Sequence, residues 1–247
     1  MELYNMDCLI GMKKIKDKSI DFILTDLPYG KTNLSWDNLI DENKLFFEYN
    51  RIIKDNGAIC LFSYEPYASK LRLANIKYYK YDLIWCKAKA TNHLNCEIQP
   101  MRKFEKILIF YKKQCIYNPQ ISDKKPENIR KDTTNRKNVG TYNNINKTTR
   151  RKISIDKTYP IDLLFFNECN GVKGKPKDIT VKPNNLLKYL INTYTNKYDI
   201  ILDSCFGIGS TAIACKETNR NFIGFEINTN FYNIAKERIN NYAKYRK

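Results

Sequence analysis

The chain has 247 residues, 43 of them Lys or Arg against 26 Asp or Glu, and a formal net charge of +17. This length suits one α/β domain carrying an insertion, and it can bury a core without disulfide or metal staples. No run of roughly 18 apolar residues is present to span a membrane, and eight cysteines with no Cys-x-x-Cys spacing, beside a single histidine, His93, argue against a zinc site, so no metal is expected.

Met1-Glu2-Leu3-Tyr4-Asn5 lacks the basic start and apolar stretch of a signal peptide, so a cytoplasmic protein with reduced thiols is expected. Glu2–Met6 reads as a first strand and Leu9–Ile15 as a short helix. Ile20-Asp21-Phe22-Ile23-Leu24-Thr25 has the pattern of a buried strand, and it stops at Asp26-Leu27-Pro28-Tyr29-Gly30, where proline and glycine open a loop. Asp41 is placed to cap a helix reaching about Lys54, and Asp55-Asn56-Gly57 predicts a turn into a strand over Ala58–Phe62. Pro66–Ala74 reads as a helix, Tyr81–Trp85 and Ile107–Tyr111 as strands.

From 115 to 157 apolar periodicity fades and Asn, Thr, Lys and Arg dominate, which predicts a surface insertion. Residues 101–157 hold sixteen Lys and Arg against five acids, a local charge of +11. Solubility and a coding bias toward Lys both raise such a count. A contiguous basic stretch in a compact enzyme nevertheless points to a polyanion, meaning nucleic acid. Arg102, Lys103, Lys124, Lys125, Arg130, Lys131, Arg136, Lys137, Arg150, Arg151 and Lys152 are the candidate phosphate contacts, most of them positioning a duplex, with one or two arginines suited to reading guanine. His93 is expected to be structural or DNA-facing, and Trp36 to shape a base pocket or pack in a core or lid.

Regular structure returns with Pro183 near the start of a helix to about Thr195. A strand over Asp199–Leu202 ends at Asp203, a helix covers Ser210–Thr218, a strand over Phe222–Phe225 ends at Glu226, and a closing helix covers Asn230–Tyr245. Strands alternating with helices predict a doubly wound, mostly parallel sheet.

Within the C-terminal unit, Gly207 allows a sharp turn and Gly209 lets a ligand approach the main chain. Glu226, nineteen residues after Gly207, stands where an acid accepts hydrogen bonds from both hydroxyls of a ribose. The pattern Gly207-x-Gly209-x-x-Ala212 alone leaves a plain turn, NAD and S-adenosylmethionine all open. Asp203 at the strand end favours S-adenosylmethionine, since an acid meets its positively charged methionine end better than it meets a pyrophosphate.

Asp26-Leu27-Pro28-Tyr29 also follows a strand, and strand ends of a doubly wound sheet gather at the switch point, so Asp26 and Asp203 are expected to face one crevice. An exocyclic amine has its lone pair delocalised into the ring and is a poor nucleophile. Hydrogen bonds from its N–H groups to the Asp26 carboxylate and the Leu27 carbonyl would hold it and favour a tetrahedral nitrogen. Pro28 stiffens the loop, and Tyr29 offers a face on which an extruded base stacks.

These motifs, in this order, resemble the permuted β-class amino-DNA methyltransferases (N6-adenine or N4-cytosine) of bacteria and phages, in which an Asp-Pro-Pro-Tyr motif comes first, the target-recognition region lies in the middle and the cofactor glycine motif comes last. The resemblance covers nearly the whole chain and extends to Asn118-Pro119-Gln120 and the Met101–Tyr111 stretch. It implies a circularly permuted Rossmann-like α/β sheet, with 1–100 as the catalytic half, 101–177 as a target-recognition insertion with a basic loop, and 178–247 as the cofactor-binding half. It implies S-adenosylmethionine as cofactor and double-stranded DNA as partner. A homodimer is common in the family, and no endonuclease partner is specified. Asp7, Cys8 and Leu9 are implied at the cofactor's adenine, Asp203, Phe206, Gly207, Gly209 and Ser210 at its methionine end, and Glu226 at its ribose. Thr180, Lys182 and Pro183 are implied to line the cofactor pocket, which Asp26 borders.

The expected reaction is site-specific methylation of adenine N6 ahead of cytosine N4, in a bacterial or phage-infected cell. No cysteine follows a proline, as cytosine-C5 methylases require. An RNA or protein methylase on the same core, a non-catalytic DNA-binding relative and an NAD oxidoreductase are the alternatives, the last lacking any evident hydride-transfer partner. Three departures stand out: Leu27 for the first proline, Ser204-Cys205 for the usual Pro-Phe, and Asp178-Ile179 for His-Pro, where an inward-facing acid would repel the cofactor carboxylate and lower activity.

Overall fold

The computed structural model describes residues 1–30, 38–129, 153–167 and 181–242. In chain order the elements are β1 (Glu2–Tyr4), α1 (Cys8–Met12), β2 (Ile20–Asp26), α2 (Glu42–Ile52), β3 (Ile53–Ser63), α3 (Tyr67–Ala74), β4 (Tyr79–Thr91), β5 (Arg102–Phe110), β6 (Ser122–Asp123), β7 (Lys157–Thr158), β8 (Leu163–Phe165), α4 (Asn184–Tyr194), β9 (Ile200–Asp203), α5 (Ser210–Glu217), β10 (Asn221–Phe225) and α6 (Thr229–Asn240). Among the described residues the main sheet has eight strands in the order β1-β10-β9-β2-β3-β5-β4-β8. β1, β10, β9, β2 and β3 run parallel to one another, β5 pairs antiparallel with both β3 and β4, and β8 runs parallel to β4.

β2 is buried along most of its length because both faces of the sheet are covered. Phe22 and Leu24 point into a cluster with Leu186, Leu190, Ile191, Ala212 and Cys215 from α4 and α5. Ile23, between them, joins Met12, Leu45, Phe46, Tyr49, Ala68 and Leu71 from α1, α2 and α3. The period of two along a strand thus builds a three-layer α/β/α body. β2 meets β9 over only two registered pairs, Phe22↔Ile201 and Ile23↔Leu202. Side chains reinforce both ends of this short seam. The Asp21 carboxylate accepts from the Ile200 N–H at 2.9 Å, and the Thr25 hydroxyl donates to Asp203 Oδ1 at 2.6 Å.

The predicted turn at Asp55-Asn56-Gly57 is instead a bulge inside a continuous β3. Between Ile20↔Ile53 and Phe22↔Ala58 the register jumps, β3 spending five residues where β2 spends two. A Cβ on Gly57 would lie 2.6 Å from the Asp21 carbonyl oxygen, so only glycine tolerates this approach. β4 and β5 are longer than their apolar cores suggested, because they continue past Cys86↔Phe104 through an irregular stretch to a last pair, Thr91↔Arg102, in a polar outer end that hydrophobic patterning does not register. β1 ends at Tyr4, earlier than expected. The Asn5 amide then donates to the Glu226 carbonyl at 2.8 Å, and Asp7 caps α1 by accepting from the Ile10 N–H at 3.0 Å. Asn118 ties down the end of α4, its side chain donating to the carbonyls of Asn192 and Thr195.

The chain divides into two compact units, 1–118 with 162–247, and Pro119–Ile161. The second lies inside the 101–177 segment, while β5 and β8, from the same segment, are strands of the main sheet. Its described residues carry the antiparallel pair β6 and β7.

Gly11 lets α1 lie directly on Phe225 of β10, where an added Cβ would fall 2.2 Å from the ring. The ring is buried and has little room to move. Gly11→Ala is expected to lower unfolding free energy in urea by about 1–3 kcal/mol, the usual cost of overpacking. An unchanged midpoint would show that α1 shifts freely.

Candidate active site

The carboxyl ends of β2, β9 and β10 surround a crevice of about 650 Å³. It lies beside the β9–β2 seam, where the chain order of the strands reverses, the usual ligand position in an open α/β sheet. Its walls come from Met6–Leu9, Asp26–Tyr29, Asp203–Ile208, Glu226–Ile227, Val181–Lys182, Tyr64, Arg102, Phe104 and Glu105, among others. Asp26 and Asp203 do face one crevice.

One side of it is the glycine turn between β9 and α5. Gly207 and Gly209 both have left-handed backbones, φ +54° and +82°. A Cβ on Gly207 would meet nothing within 4 Å, whereas one on Gly209 would sit 3.0 Å from Ala235 Cβ of α6. The main chain at Gly207 is thus open to a close approach, while the absence of a side chain at Gly209 also serves packing against α6. Glu226 is buried, accepting from the Gly207 N–H at 2.9 Å and the Asn228 N–H at 2.8 Å. Burial raises its proton affinity, and those backbone donors pull it back only in part. Asp203 is pushed up to about 6, first by burial, against the hydroxyls of Thr211 and Thr25 and the Cys205 N–H. Neither acid forms an ion pair with any described residue.

Two buried acids without a cation, beside a main chain open at Gly207, fit a ligand that carries positive charge and a ribose diol. That donor set suits S-adenosylmethionine: Asp203 for its cationic end, Glu226 for the hydroxyls, Phe206 and Ser210 on the same wall. Asp7, Cys8 and Leu9 line the crevice as well, the Asp7 carboxylate already engaged as the cap of α1. Pro183 is buried at the start of α4, behind the lining.

Across the crevice, the Tyr29 hydroxyl donates to Asp26 Oδ1 at 2.5 Å and Lys182 Nζ lies 2.7 Å from Oδ2. Burial raises the Asp26 proton affinity above the carboxylate norm, Lys182 drawing it back and Glu105 pushing it up. Tyr29 is half-buried at the crevice wall. Its ring packs edge-on against Tyr64 at 4.6 Å and Tyr67 at 6.0 Å. Leu27, the first departure, is 2% exposed and anchors the loop in the core beneath α2 and α3. Ser204, the second, is also buried, its hydroxyl 2.5 Å from the Tyr49 hydroxyl and 3.3 Å from that of Thr25.

Of the predicted phosphate contacts, Arg102 stacks over the Tyr64 ring at 4.7 Å at the crevice wall and Lys103 is exposed beside it. Lys125 is exposed and Lys124 donates to the Ile155 carbonyl within the second unit. Arg130, Lys131, Arg136, Lys137, Arg150, Arg151 and Lys152 lie outside the described residues, as do Trp36, Asp178 and Thr180. Sequence reasoning missed Glu105, Lys87, Tyr64 and Thr25. The only local sign was Glu105, an acid just ahead of the apolar run Ile107–Phe110.

A family model described as DNA methylase (N6_N4_Mtase) matches residues 20–237. The chain is similar to the type II methyltransferase M.HindIII of Haemophilus influenzae, at 26% identity over 306 residues, covering 96% of this chain and 94% of that protein. Among solved structures it superposes on M1.HpyAVI in complex with SAM, with a TM-score of 0.67, 22% identity, and 97% and 98% of the two chains covered. It also superposes on the PvuII cytosine-N4-specific DNA methyltransferase, with a TM-score of 0.65, 14% identity, and coverages of 96% and 85%. At these identities the structural likeness establishes the Rossmann-like, permuted fold.

Asp203 is largely protonated below about pH 6 in the free protein, and a cationic ligand favours its ionised form. Binding of S-adenosylmethionine is therefore expected to tighten as pH rises through that value, by up to about tenfold between pH 5 and pH 7.5. Isothermal calorimetry at both values checks this, with Asp203→Asn expected to bind weakly and to lose most of the pH dependence. Equal affinity at both pH values in the unmodified protein would remove Asp203 from the site.

Proposed function

We propose, because the chain belongs to the DNA methylase family of N6 and N4 enzymes and so methylates DNA with S-adenosylmethionine, that its target is the exocyclic N6 of an adenine turned out of a specific duplex site. The observation that carries this reading is the Asp26 carboxylate, fixed at both oxygens and partly open to the crevice that also holds Asp203 and Glu226. A carboxylate offers about four acceptor positions. Tyr29 and Lys182 take one on each oxygen, and those left can accept an amine N–H.

S-adenosylmethionine, when bound, supplies an electrophilic methyl group. The chain's own residues do the rest by position. Asp26 and the Leu27 carbonyl accept the two N–H groups and direct the nitrogen lone pair. Leu27's buried side chain holds that stretch of backbone, in place of proline's ring. Tyr29, Tyr64 and Phe104 wall the mouth, exclude water and give a base aromatic surface. Asp26, its proton affinity raised by burial, is placed to take the surplus proton of the methylated amine at a carboxylate oxygen. No covalent enzyme intermediate is needed, and most of the acceleration comes from orientation and fixed charge.

Adenine is favoured because aromatic walls gain most from a two-ring base. Cytosine N4 is the second reading. It needs the same two acceptors, and the PvuII enzyme with this fold is cytosine-N4-specific. The basic residues of 101–157 would hold the duplex through its phosphates, with Arg102 nearest the crevice.

Purified protein, S-adenosylmethionine and unmethylated DNA of mixed sequence, followed by nucleoside mass spectrometry, should yield N6-methyladenine. N4-methylcytosine would install the second reading, and no methylated base would overturn both. Asp26→Ala is expected to cut the rate by about 10²-fold or more while cofactor affinity stays within about threefold.

A further inference from the structure

Lys182 is implied by resemblance to line the cofactor pocket, yet its ammonium is engaged elsewhere. The side chain is 8% exposed, and Nζ lies 2.7 Å from Asp26 Oδ2 and 3.0 Å from Glu105 Oε2. The opposite oxygen of Glu105, Oε1, lies 2.7 Å from Lys87 Nζ. Lys182 also sits over the Phe62 ring, 5.0 Å from its centre. Four charges of alternating sign, Lys87, Glu105, Lys182 and Asp26, thus run in one row. They come from β4, β5, the segment before α4 and the end of β2, so no local sequence feature places them together. The row sums to zero, which is what makes it tolerable with so little water: an unpaired buried charge is costly, and each member here has a partner of opposite sign.

We propose that Lys182 is a positioning residue for methyl transfer, holding Asp26 ionised and its carboxylate plane fixed, and that Glu105, braced by Lys87, keeps Lys182 from neutralising Asp26 completely. The inference rests on the reading of Asp26 as acceptor of the target amine. With Tyr29 on one oxygen and Lys182 on the other, two points define the carboxylate plane, so its remaining lone pairs have set directions before a base arrives. Glu105 takes a share of the Lys182 charge. Without it Lys182 would bind Asp26 alone and leave a weaker acceptor for the amine.

The charged and titratable groups that face Asp26 act with opposed signs. Glu105 from β5 and Asp203 from β9 favour its protonation. Lys182 and the Tyr29 hydroxyl, against which Tyr64 packs, favour its ionisation. Burial opposes the charge of Lys182, but its two carboxylates outweigh that and hold it above the usual lysine range. Glu105 is likewise opposed by burial and held below its usual range by Lys182 and Lys87. Lys182 is therefore a fixed cation at any working pH, and Asp26 is the group that responds.

The test is a carboxyl titration by carbon NMR on full-length protein labelled at the aspartate side-chain carboxyl carbon, with Asp26 identified by its absence from Asp26→Asn. Lys182→Met should move the Asp26 midpoint up by about one pH unit or more, the usual effect of losing an adjacent opposite charge. Lys182→Arg should keep it within about half a unit of the unmodified protein. Glu105→Gln should move it down, the opposite direction, because an anion is lost while Lys182 remains. That sign distinguishes positioning from loose structural support, and it stays measurable if Lys182→Met does not fold. The acid limb of the kcat profile should follow the same shifts, while affinity for S-adenosylhomocysteine stays within about threefold. An unmoved Asp26 midpoint in Lys182→Met, a rise in Glu105→Gln, or a tenfold loss of S-adenosylhomocysteine affinity with the midpoint unmoved would each overturn the proposal, the last by making Lys182 a cofactor ligand. If the midpoints shift as described while the unmodified protein methylates no base, the positioning stands and the assigned reaction falls.

Discussion

Two registered residue pairs join β2 to β9, and the position of every group in the crevice depends on that short seam. It is where the strand order reverses, so no helix covers the ends of these two strands and a space opens beyond them. Because the strands run parallel, the acids that end them, Asp26 and Asp203, lie at the same edge of the sheet. A slip of one residue would send alternate side chains to the other face and bury one acid under a helix. The seam is accordingly held by more than backbone: Asp21 closes one end on the Ile200 N–H, and Thr25 closes the other on Asp203. The Thr25 bond also links the two sides of the crevice, since the residue preceding Asp26 holds the Asp203 carboxylate.

The departures from the family's motifs become intelligible against this seam. Proline at position 27 would stiffen the loop through its ring. Leucine does so by burial, and a fully buried leucine contributes about 1.5–3 kcal/mol, enough to keep the loop seated. Ser204 replaces an apolar residue and needs hydrogen-bond partners in a dry setting. It finds two, Tyr49 from α2 and Thr25 from β2, so the substitution adds a link between helix, seam and glycine turn. Each replacement exchanges one means of restraint for another, and neither takes an acceptor from Asp26.

Charge is segregated within the crevice. Among the described residues Asp203 and Glu226, on the side proposed for the cofactor, pair with no cation, and backbone N–H groups and hydroxyls are their partners. On the base side the acid is matched, through Lys182, Glu105 and Lys87. In the proposed reaction a cationic ligand would be drawn to one half, while the neutral base would meet an acceptor whose charge is already partly shared. The same low-water setting strengthens both effects, because fixed charges act over short distances with little screening.

Much of this protein was determined by the sequence alone. The buried run Ile20–Thr25, the stop at Pro28 and Gly30, the cap at Asp41 and the glycine turn after Asp203 are local signals, each set by the conformational limits or burial of neighbouring residues. They placed strands, helices, the glycine turn and both acids close to where they lie. A doubly wound, mostly parallel sheet also followed, since strands alternating with helices have few ways to wind, but the strand order and the antiparallel β5 did not. Tertiary structure decided what local signals do not carry. Asp55-Asn56-Gly57 reads as a turn but is drawn into β3 as a bulge, because β2 passes close to Gly57. Gly207 and Gly209 look interchangeable in sequence, and only the presence of α6 beside Gly209 separates their roles. Lys182, Glu105 and Lys87 are ordinary charged residues in the sequence. Folding brings them together in a space with little water, and it is the loss of water that turns them from solvated side chains into one row of paired charges ending on Asp26.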